Sequence, residues 1–499
     1  MQKLTKEMIP QDQRFDHLSE KIIQFGEGNF LRGFVDWMVH ECNKQGLFNG
    51  KIVAIQPTPH GKVVPKLNAQ DGLYTLVLQG IENEKVIDEV EVISSISRGI
   101  NPYADWQEVL KVAENPVVQF VFSNTTEAGL TYQKEDLNLE QSPLSYPGKL
   151  TAFLYHRYKV LGESRESGMA IFPCELVEGN GELLKEIVLK IADDWNLPSA
   201  FKSWVTEHNR FCNTLVDRIV TGYPKDSMEE FRDRLDYEDE LLTVGEPYHL
   251  FAIEADEEIA HALPLHQAGL NVHWTDVTPF REVKVRILNG AHTLMVPVAL
   301  QAGKDTVLEA MEDKVLRQFI WKGIYQEIFP ILDIPMAQKM PFADSVIERF
   351  LNPFNKHFLR DIALNSFYKF RTRLLPTLLE TVDKEEKLPE TIVFSLAALL
   401  SLYRGQKTGD NEMTCLRGEE IYTLRDQPEV VSLLSDLWAG YQGEPEQLQV
   451  IVESILGKEA WWGINLNQVP SLFESLYMHL TQILRFGMKE SIINLLQGE

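Results

Sequence analysis

The sequence predicts an α/β domain of the doubly wound kind followed by a mainly α-helical domain. Three observations predict it. Short apolar strands and helical periods alternate from Lys21 to Trp195, a glycine-rich turn directly follows the first strand, and strand signals nearly vanish past about Pro279. At 499 residues the chain exceeds what one hydrophobic core usually serves, so two domains are expected, 1–278 and 279–499.

Each element follows from its own pattern. Lys21-Ile22-Ile23-Gln24-Phe25 is a short apolar run ending at Gly26, and Phe30 to Val39 has helical spacing. Lys51 to Ile55 is rich in β-branched residues and is closed by Pro57 and Pro59, which makes 21–55 a β-α-β unit. Leu73 to Leu78 and Val86 to Ile93 flank Gly80-Ile81-Glu82-Asn83-Glu84 and read as an inserted antiparallel hairpin. A helix over Ala104 to Ala113 leads to the strongest strand, Val117 to Phe122. Leu150 to Tyr158, Met169 to Phe172 and Glu182 to Trp195 continue the alternation. Beyond the boundary, placed near 275 to 280, helical periods cover Lys314 to Ile328, Ser345 to Phe350, Thr391 to Tyr403, Val430 to Trp438 and Leu472 to Phe486. No internal repeat or low-complexity linker interrupts them.

Composition narrows the function. A formal charge of -25 argues against nucleic acid as a partner, because phosphate binding needs a basic surface. It also means that a site for a small anion must gather cations locally and act within the Debye length. The N-terminus has no apolar stretch behind its charges, and the longest apolar run, Ile392 to Tyr403, is too short to span a bilayer, so a cytoplasmic location with no membrane partner is expected. Cys42, Cys174, Cys212 and Cys415 lie far apart and suggest neither a disulfide framework nor a zinc ribbon. His261 and His266 form a close pair at the wrong spacing for a helical metal site, so no metal is expected.

The turn Gly26-Glu27-Gly28-Asn29-Phe30-Leu31-Arg32-Gly33 supplies the parts of a dinucleotide pyrophosphate site, since glycine allows a sharp turn and close approach of phosphate to a helix start. Leu31 stands at the third glycine position, and Gln56-Pro57 stands where an acidic residue would grip the ribose. An ordinary βα turn is the competing reading. Arg32 pairs either a phosphate or Asp36 one turn on. Lys51 or Lys62 is a candidate for a 2'-phosphate, so the residues themselves leave NAD and NADP both open.

Lys284-Val285-Arg286-Ile287-Leu288-Asn289-Gly290-Ala291-His292-Thr293 places polar side chains in an otherwise apolar helical stretch. Asn289 and His292 are three apart and share a helix face, and Lys284 reaches it by its long stem. Oxidation of an alcohol by a nicotinamide needs a base for the hydroxyl proton and a donor for the oxygen. Lys284 fits the base, with Arg286 as one cation able to favour its neutral form, Asn289 fits the donor, and His292 fits an orienting group. The bland alternative is a snorkelling lysine, a helix cap and a satisfied core histidine.

The K-x-R-x-L-N-x-x-H pattern of Lys284 to His292, joined to G-x-G-x-F-x-R of Gly26 to Arg32, resembles the long-chain polyol dehydrogenases related to mannitol dehydrogenase. Further runs fit in order: Ser123-Asn124-Thr125-Thr126-Glu127-Ala128-Gly129, Val216-Asp217-Arg218-Ile219-Val220-Thr221-Gly222-Tyr223-Pro224 and Arg349-Phe350-Leu351-Asn352-Pro353. The resemblance spans nearly the whole chain and is strongest to the branch acting on a sugar acid. It implies a Rossmann-type N-terminal domain, a helical C-terminal domain, and metal-independent, NAD-linked interconversion of altronate and tagaturonate. It places the catalytic set on Lys284, Asn289 and His292. Cofactor contacts fall on Phe25, Gly26, Glu27, Gly28, Asn29, Phe30 and Arg32, and on Asn124, Thr125, Thr126 and Glu127. Where mannitol-type members carry Cys-Asp-Asn, this chain reads Cys174-Glu175-Leu176, so Asn180 is a candidate replacement for the missing donor.

A sugar acid needs its carboxylate held, and Lys369-Phe370-Arg371-Thr372-Arg373 supplies three cations in five residues. Lys369 falls on a substrate-contacting lysine of the polyol enzymes, whereas their upstream arginine aligns with Asp361 and leaves Arg360 out of register. Arg371 or Arg373 is then expected to pair the carboxylate. The competing functions are another polyol or sugar-acid oxidoreductase of the family, such as a mannonate enzyme, and a nucleotide-sensing protein that keeps the fold without the chemistry.

Overall fold

A computed structural model describes residues 2–225, 228–417 and 420–498. The chain divides into two compact units, Met1–Phe280 and Arg281–Glu499.

In the N-terminal unit six strands, β1 (Ser19–Phe25), β2 (Gly50–Ile55), β3 (Ile96–Ile100), β4 (Phe120–Ser123), β5 (Ala170–Pro173) and β6 (Arg210–Phe211), form one sheet. Their order is β3-β2-β1-β4-β5-β6, and every neighbouring pair is parallel. This is the doubly wound dinucleotide order, with its switch point between β1 and β4. Successive residues of each strand point to opposite faces. Ile22, Ile52, Phe120 and Phe172 therefore enter one core layer, while Ile23, Val53, Val121 and Ile171 enter the other. Covering both faces explains why these strands read as continuous apolar runs.

The crossover helices start where their caps dictate. Asp105 accepts the Glu108 amide ahead of the helix Trp106–Glu114, and Ser145 accepts the Gly148 amide ahead of Tyr146–Leu161. The expected helix from Phe30 to Val39 is instead two pieces, α1 (Asn29–Arg32) and α2 (Val35–Lys44). The carbonyls at the break find partners outside the helix: Tyr74 Oη donates to Arg32 O at 2.6 Å, and Arg218 Nη1 donates to Gly33 O at 2.8 Å. A Cβ on Gly33 would sit 3.0 Å from the Val220 methyls, so the break is also a close packing point.

The hairpin is present as Tyr74–Glu82 and Lys85–Ile93, but it belongs to a four-stranded sheet. Thr243–Gly245 runs parallel to its first strand, and Val220–Gly222 pairs with Thr243–Gly245. A further three-stranded sheet is built from Thr214–Asp217, Leu250–Ile253 and Val272–Trp274. All four cysteines are buried free thiols.

The C-terminal unit is built around α3 (Gly290–Gln301), whose residues from Gly290 to Leu300 are buried on every side. The unit also holds α4 (Met336–Phe350), α5 (Ser366–Arg373), α6 (Leu375–Glu385), α7 (Glu390–Leu402) and α8 (Leu472–Phe486); α5 and α7 pack against α3, and α7 packs against α8 as well. An antiparallel sheet of Gly405–Lys407, Glu412–Arg417 and Glu420–Arg425 interrupts the helices, and the sequence reading missed it. No helix among the described residues is long and apolar enough to cross a membrane.

Candidate active site

The glycine turn leaves β1 at the switch point, where ligands bind in sheets of this kind. Gly26 has φ of +131°, and a Cβ there would lie 2.9 Å from the carbonyl oxygen of Asn124, at the end of β4. Only glycine lets the two strand ends approach so closely. Gly28, at the start of α1, would meet nothing within 4 Å. Its lack of a side chain answers to no neighbour inside the protein, as expected where a ligand's phosphates come close.

Arg32 does not pair Asp36. Its guanidinium lies beneath the turn and donates to Glu27 O, to Asn29 Oδ1 at 2.7 Å and to Thr243 Oγ1 at 3.2 Å. It braces the loop that Glu27, Gly28, Asn29 and Phe30 form, and Phe25 anchors that loop from the core through its ring contacts with Tyr146 and Phe153.

The opposite wall is the segment after β4. Glu175 accepts from Ser123 Oγ, Thr125 N and Thr125 Oγ1 at 2.9–3.0 Å, and Asn124 Nδ2 donates to Cys174 O at 2.9 Å. Thr126 takes φ 67° and ψ 167°, a region that costs a β-branched residue about 1–3 kcal/mol, and Glu127 beside it is exposed. Strain of this size persists where the surroundings fix a loop for a purpose.

At the end of β2, Gln56 is fully buried; its amide donates to Thr58 O at 2.7 Å and its Oε1 has no partner among the described residues. Glu27 Oε1 and the Gln56 side chain both come within 3.0 Å of where a Gly61 Cβ would be. A carboxyl group thus stands beside the end of the second strand after all, supplied by the glycine turn. Burial raises Glu27 to about 7, with the Arg32 charge among the opposing influences. Lys51 is buried in β2 near its first residue, with Nζ 3.5 Å from Arg14 O, so it is not at this end of the strand.

Asn180 does not present a free donor. Its Nδ2 lies 2.9–3.3 Å from Pro173 O, Glu175 O, Thr214 O and Thr214 Oγ1, and its Oδ1 accepts from Thr214 N, so it ties β5 to the next strands. Leu176 stands 62% exposed nearby and offers no polar group in its place.

In the C-terminal unit the catalytic candidates sit on a feature that sequence spacing did not reveal. Lys284–Asn289 is a single π-helical stretch continuing into α3, and Gly290 N bonds back to Val285 O. A π turn closes at i→i+5, so residues five apart, such as Lys284 and Asn289, stand one turn above each other. Arg286 points elsewhere: it forms a bidentate pair with Glu380 at 3.0 and 3.2 Å and donates to Thr377 Oγ1, so its charge is spent there rather than beside Lys284.

His292, on the first turn of α3, is buried between the rings of Phe350 and His357, at centroid distances of 4.6 and 4.9 Å. Its Nε2 has no partner among the described residues. Burial, and then the charges of His357, Arg349, Arg373 and Lys369, hold it well below the usual imidazole range, so it is neutral.

Lys369 and Arg373, four apart on α5, share a face. Arg373 Nη1 lies 3.3–3.4 Å from Thr293 Oγ1 and Asn289 O, and Lys369 Nζ donates to Ile362 O at 2.7 Å. Burial, with Arg373 adding to it, lowers Lys369 to about 8. Arg371 is not part of this group. It is exposed, and its guanidinium lies against Gly463 and Ala460 O, because two residues on a helix turn the side chain to the other side.

The histidine pair at 261 and 266 goes to separate partners, Glu257 O and Trp274 Nε1. The one group of metal-ligating residues found among the described residues, His40, Glu41 and Glu91, already has the Lys44 ammonium seated on both carboxylates.

Residues 20–267 match the model of the mannitol dehydrogenase Rossmann domain, and residues 276–484 match that of the mannitol dehydrogenase C-terminal domain. An altronate oxidoreductase of Halalkalibacterium halodurans is 49% identical over 479 residues, covering 96% of this chain and 94% of that protein. One of Bacillus subtilis is 42% identical over 496 residues, covering 99% and 98%. Among solved structures, a substrate-free D-sorbitol dehydrogenase has a TM-score of 0.79 at 22% identity, with 98% of this chain and all of that one covered. A Pseudomonas fluorescens mannitol 2-dehydrogenase, solved with NAD and D-mannitol, has a TM-score of 0.69 at 19% identity with both chains fully covered. The chain belongs to the mannitol dehydrogenase family.

Proposed function

We propose that this protein interconverts D-altronate and D-tagaturonate, with NAD as the redox partner and Lys284 as the proton carrier. The observation that carries the reading is the grouping in one unit of a π turn bearing Lys284 and Asn289, a neutral buried histidine, and the cation pair Lys369 and Arg373. Near-full-length identity to altronate oxidoreductases supports the choice of acid.

The N-terminal unit fits a dinucleotide. The open side of Gly28 and the strained wall at Thr126 suit phosphates, and Glu27 beside Gln56 suits the adenosine ribose. A partly ionised carboxyl accepts from ribose hydroxyls and repels a 2'-phosphate, which favours NAD over NADP. When bound, NAD supplies the hydride acceptor or donor.

The remaining work falls to side chains of the C-terminal unit. As a neutral amine, Lys284 Nζ accepts the hydroxyl proton of altronate, and as an ammonium it returns that proton to the ketone oxygen of tagaturonate. Asn289 Nδ2 donates to the same oxygen as charge develops on it. The unpartnered Nε2 of His292 is completed by a hydrogen bond with a substrate hydroxyl, which fixes the sugar chain. Lys369 and Arg373 hold the carboxylate.

Loss of NADH absorbance on adding tagaturonate, compared with fructuronate and fructose and repeated with NADPH, tests the reading. Turnover of tagaturonate with NADH well above the other combinations is expected. No reaction with tagaturonate would overturn it.

A further inference from the structure

More basic groups surround His292 than the mechanism uses. The charges acting on it come from His357, Arg349, Arg373 and Lys369, all basic. Asp361 faces His357 and Asp426 faces Lys369, but Asp426 is already engaged by Tyr403 Oη at 2.5 Å and Gln427 N at 2.8 Å. Basic side chains gathered about a buried nitrogen that lacks a partner among the described residues suit an anion, in a chain whose net charge is -25.

We propose that Arg349 and His357 complete the carboxylate site, with His357 the residue that makes it select a sugar acid over a neutral polyol. The proposal rests on the assignment of Lys284, Asn289 and His292 as the reacting group. Arg349 is buried in the last turn of α4 and has a partner within the fold. His357 is half-buried, on a loop whose backbone is pinned on both sides: Val307 N donates to His357 O at 3.0 Å, and Leu359 N donates to Asp305 O at 2.9 Å. Its ring meets that of His292 edge-on, at 77° and 4.9 Å. The imidazole therefore stands edge-on against the ring of His292, whose buried Nε2 has no partner among the described residues. Burial, reinforced by Arg349, lowers the affinity of His357 for a second proton, and its N–H still donates to a carboxylate oxygen when the ring is neutral. A primary alcohol at the same place would gain far less from that donor and nothing from the surrounding charge.

The test uses the full-length enzyme carrying His357→Leu, which removes the donor, and His357→Gln, which keeps one. Fluorescence titration with NADH shows that each variant retains a folded cofactor domain. His357→Leu should raise the KM for tagaturonate about ten- to a hundredfold with kcat changed less than about threefold, and His357→Gln should recover much of the loss. Melting with altronate or with the uncharged polyol altritol is the second readout and needs no turnover. The Tm rise given by altronate should largely disappear in His357→Leu, while any rise given by altritol stays. An unchanged KM, an unchanged altronate effect, or equal weakening of altronate and altritol would overturn the proposal while leaving the proposed activity intact. A parent enzyme that neither reduces tagaturonate nor is stabilised by altronate would remove the activity, and this inference with it.

Discussion

Replacing Asp36 by asparagine should stabilise the protein increasingly as the pH rises. Asp36 lies on α2, fully buried behind the glycine turn, and Gln24 Nε2 reaches both Asp36 Oδ2 at 3.4 Å and Gly26 O at 3.0 Å. Burial raises the carboxyl from its ordinary 3.8 to about 7, against the opposing pull of the Gln24 amide and the Arg32 charge. The folded state therefore keeps a proton that the unfolded chain has already released. Stability from this group is fully present below about pH 4, declines as the pH rises, and has been lost once the pH passes about 7. At about 1.4 kcal/mol for each tenfold change in proton affinity, the loss is at most about 4 kcal/mol.

Asparagine has nearly the same shape, does not ionise, and brings an amide donor to a place where Asp36 Oδ1 and Gln24 Oε1 both lack partners among the described residues. Glu27 and Glu327 are also raised to about 7, but they contribute equally to parent and variant. Melting followed by circular dichroism at pH 5, 6, 7 and 8 should show a Tm gap in favour of the variant that is smallest at pH 5. The gap should widen by about 2–4 °C for each kcal/mol gained. A gap that is constant with pH, or a variant that melts below the parent at pH 8, would refute the reasoning.

Gly26→Ala forces a side chain into a φ that costs about 1–3 kcal/mol and against the Asn124 carbonyl, so NADH affinity by fluorescence titration should fall at least about tenfold; parental affinity would count against the turn as the phosphate site. Lys284→Met should lower kcat by about a hundred- to ten-thousandfold with NADH binding retained, and near-normal turnover would rule Lys284 out as the proton carrier. Arg373→Ala should raise the KM for tagaturonate about tenfold or more, whereas Arg371→Ala, whose guanidinium lies against Ala460 and Gly463, should change it less than about twofold. The opposite ranking would return the carboxylate to Arg371.

The four central strands of the parallel sheet were readable because they are covered on both faces and appear as apolar runs, whereas its edge strands, Ile96–Ile100 and Arg210–Phe211, carry Ser97, Arg98 and Arg210 and were not; α8 was readable because its apolar stripe keeps one period from Leu472 to Phe486. The sheet at 405–425 was not. Met413, Cys415, Tyr422 and Leu424 face inward, but Leu416 and Ile421, paired across the hairpin, are 66% and 65% exposed, so apolar residues occupy both faces and the alternation is blurred. The break between α1 and α2 was hidden because its partners, Tyr74 and Arg218, come from remote segments. Site residues were legible as types, since lysine, asparagine and histidine in an apolar stretch demand an explanation. Their geometry was not. Burial and partner sets decided which of Lys369, Arg371 and Arg373 stand together, and showed that Asn180 is occupied within the fold. Glu27 was named as a cofactor contact, but its place beside the end of the second strand was not readable, because its carboxyl enters from the turn after the first strand.

The π turn at 284–289 also sets how this stretch can tolerate insertion and deletion. A π turn within an α-helix amounts to one extra residue held in register by its neighbours. Removing a single residue between Lys284 and Asn289 would let the helix close to ordinary α spacing with α3 in place, and the two residues, now four apart, would again stand one turn above each other. Such a chain would keep its fold, its buried histidine and every functional side chain in the original order. It would also keep base and oxygen donor on one face, so this stretch can absorb the loss of one residue where an ordinary α-helical stretch would turn its side chains apart.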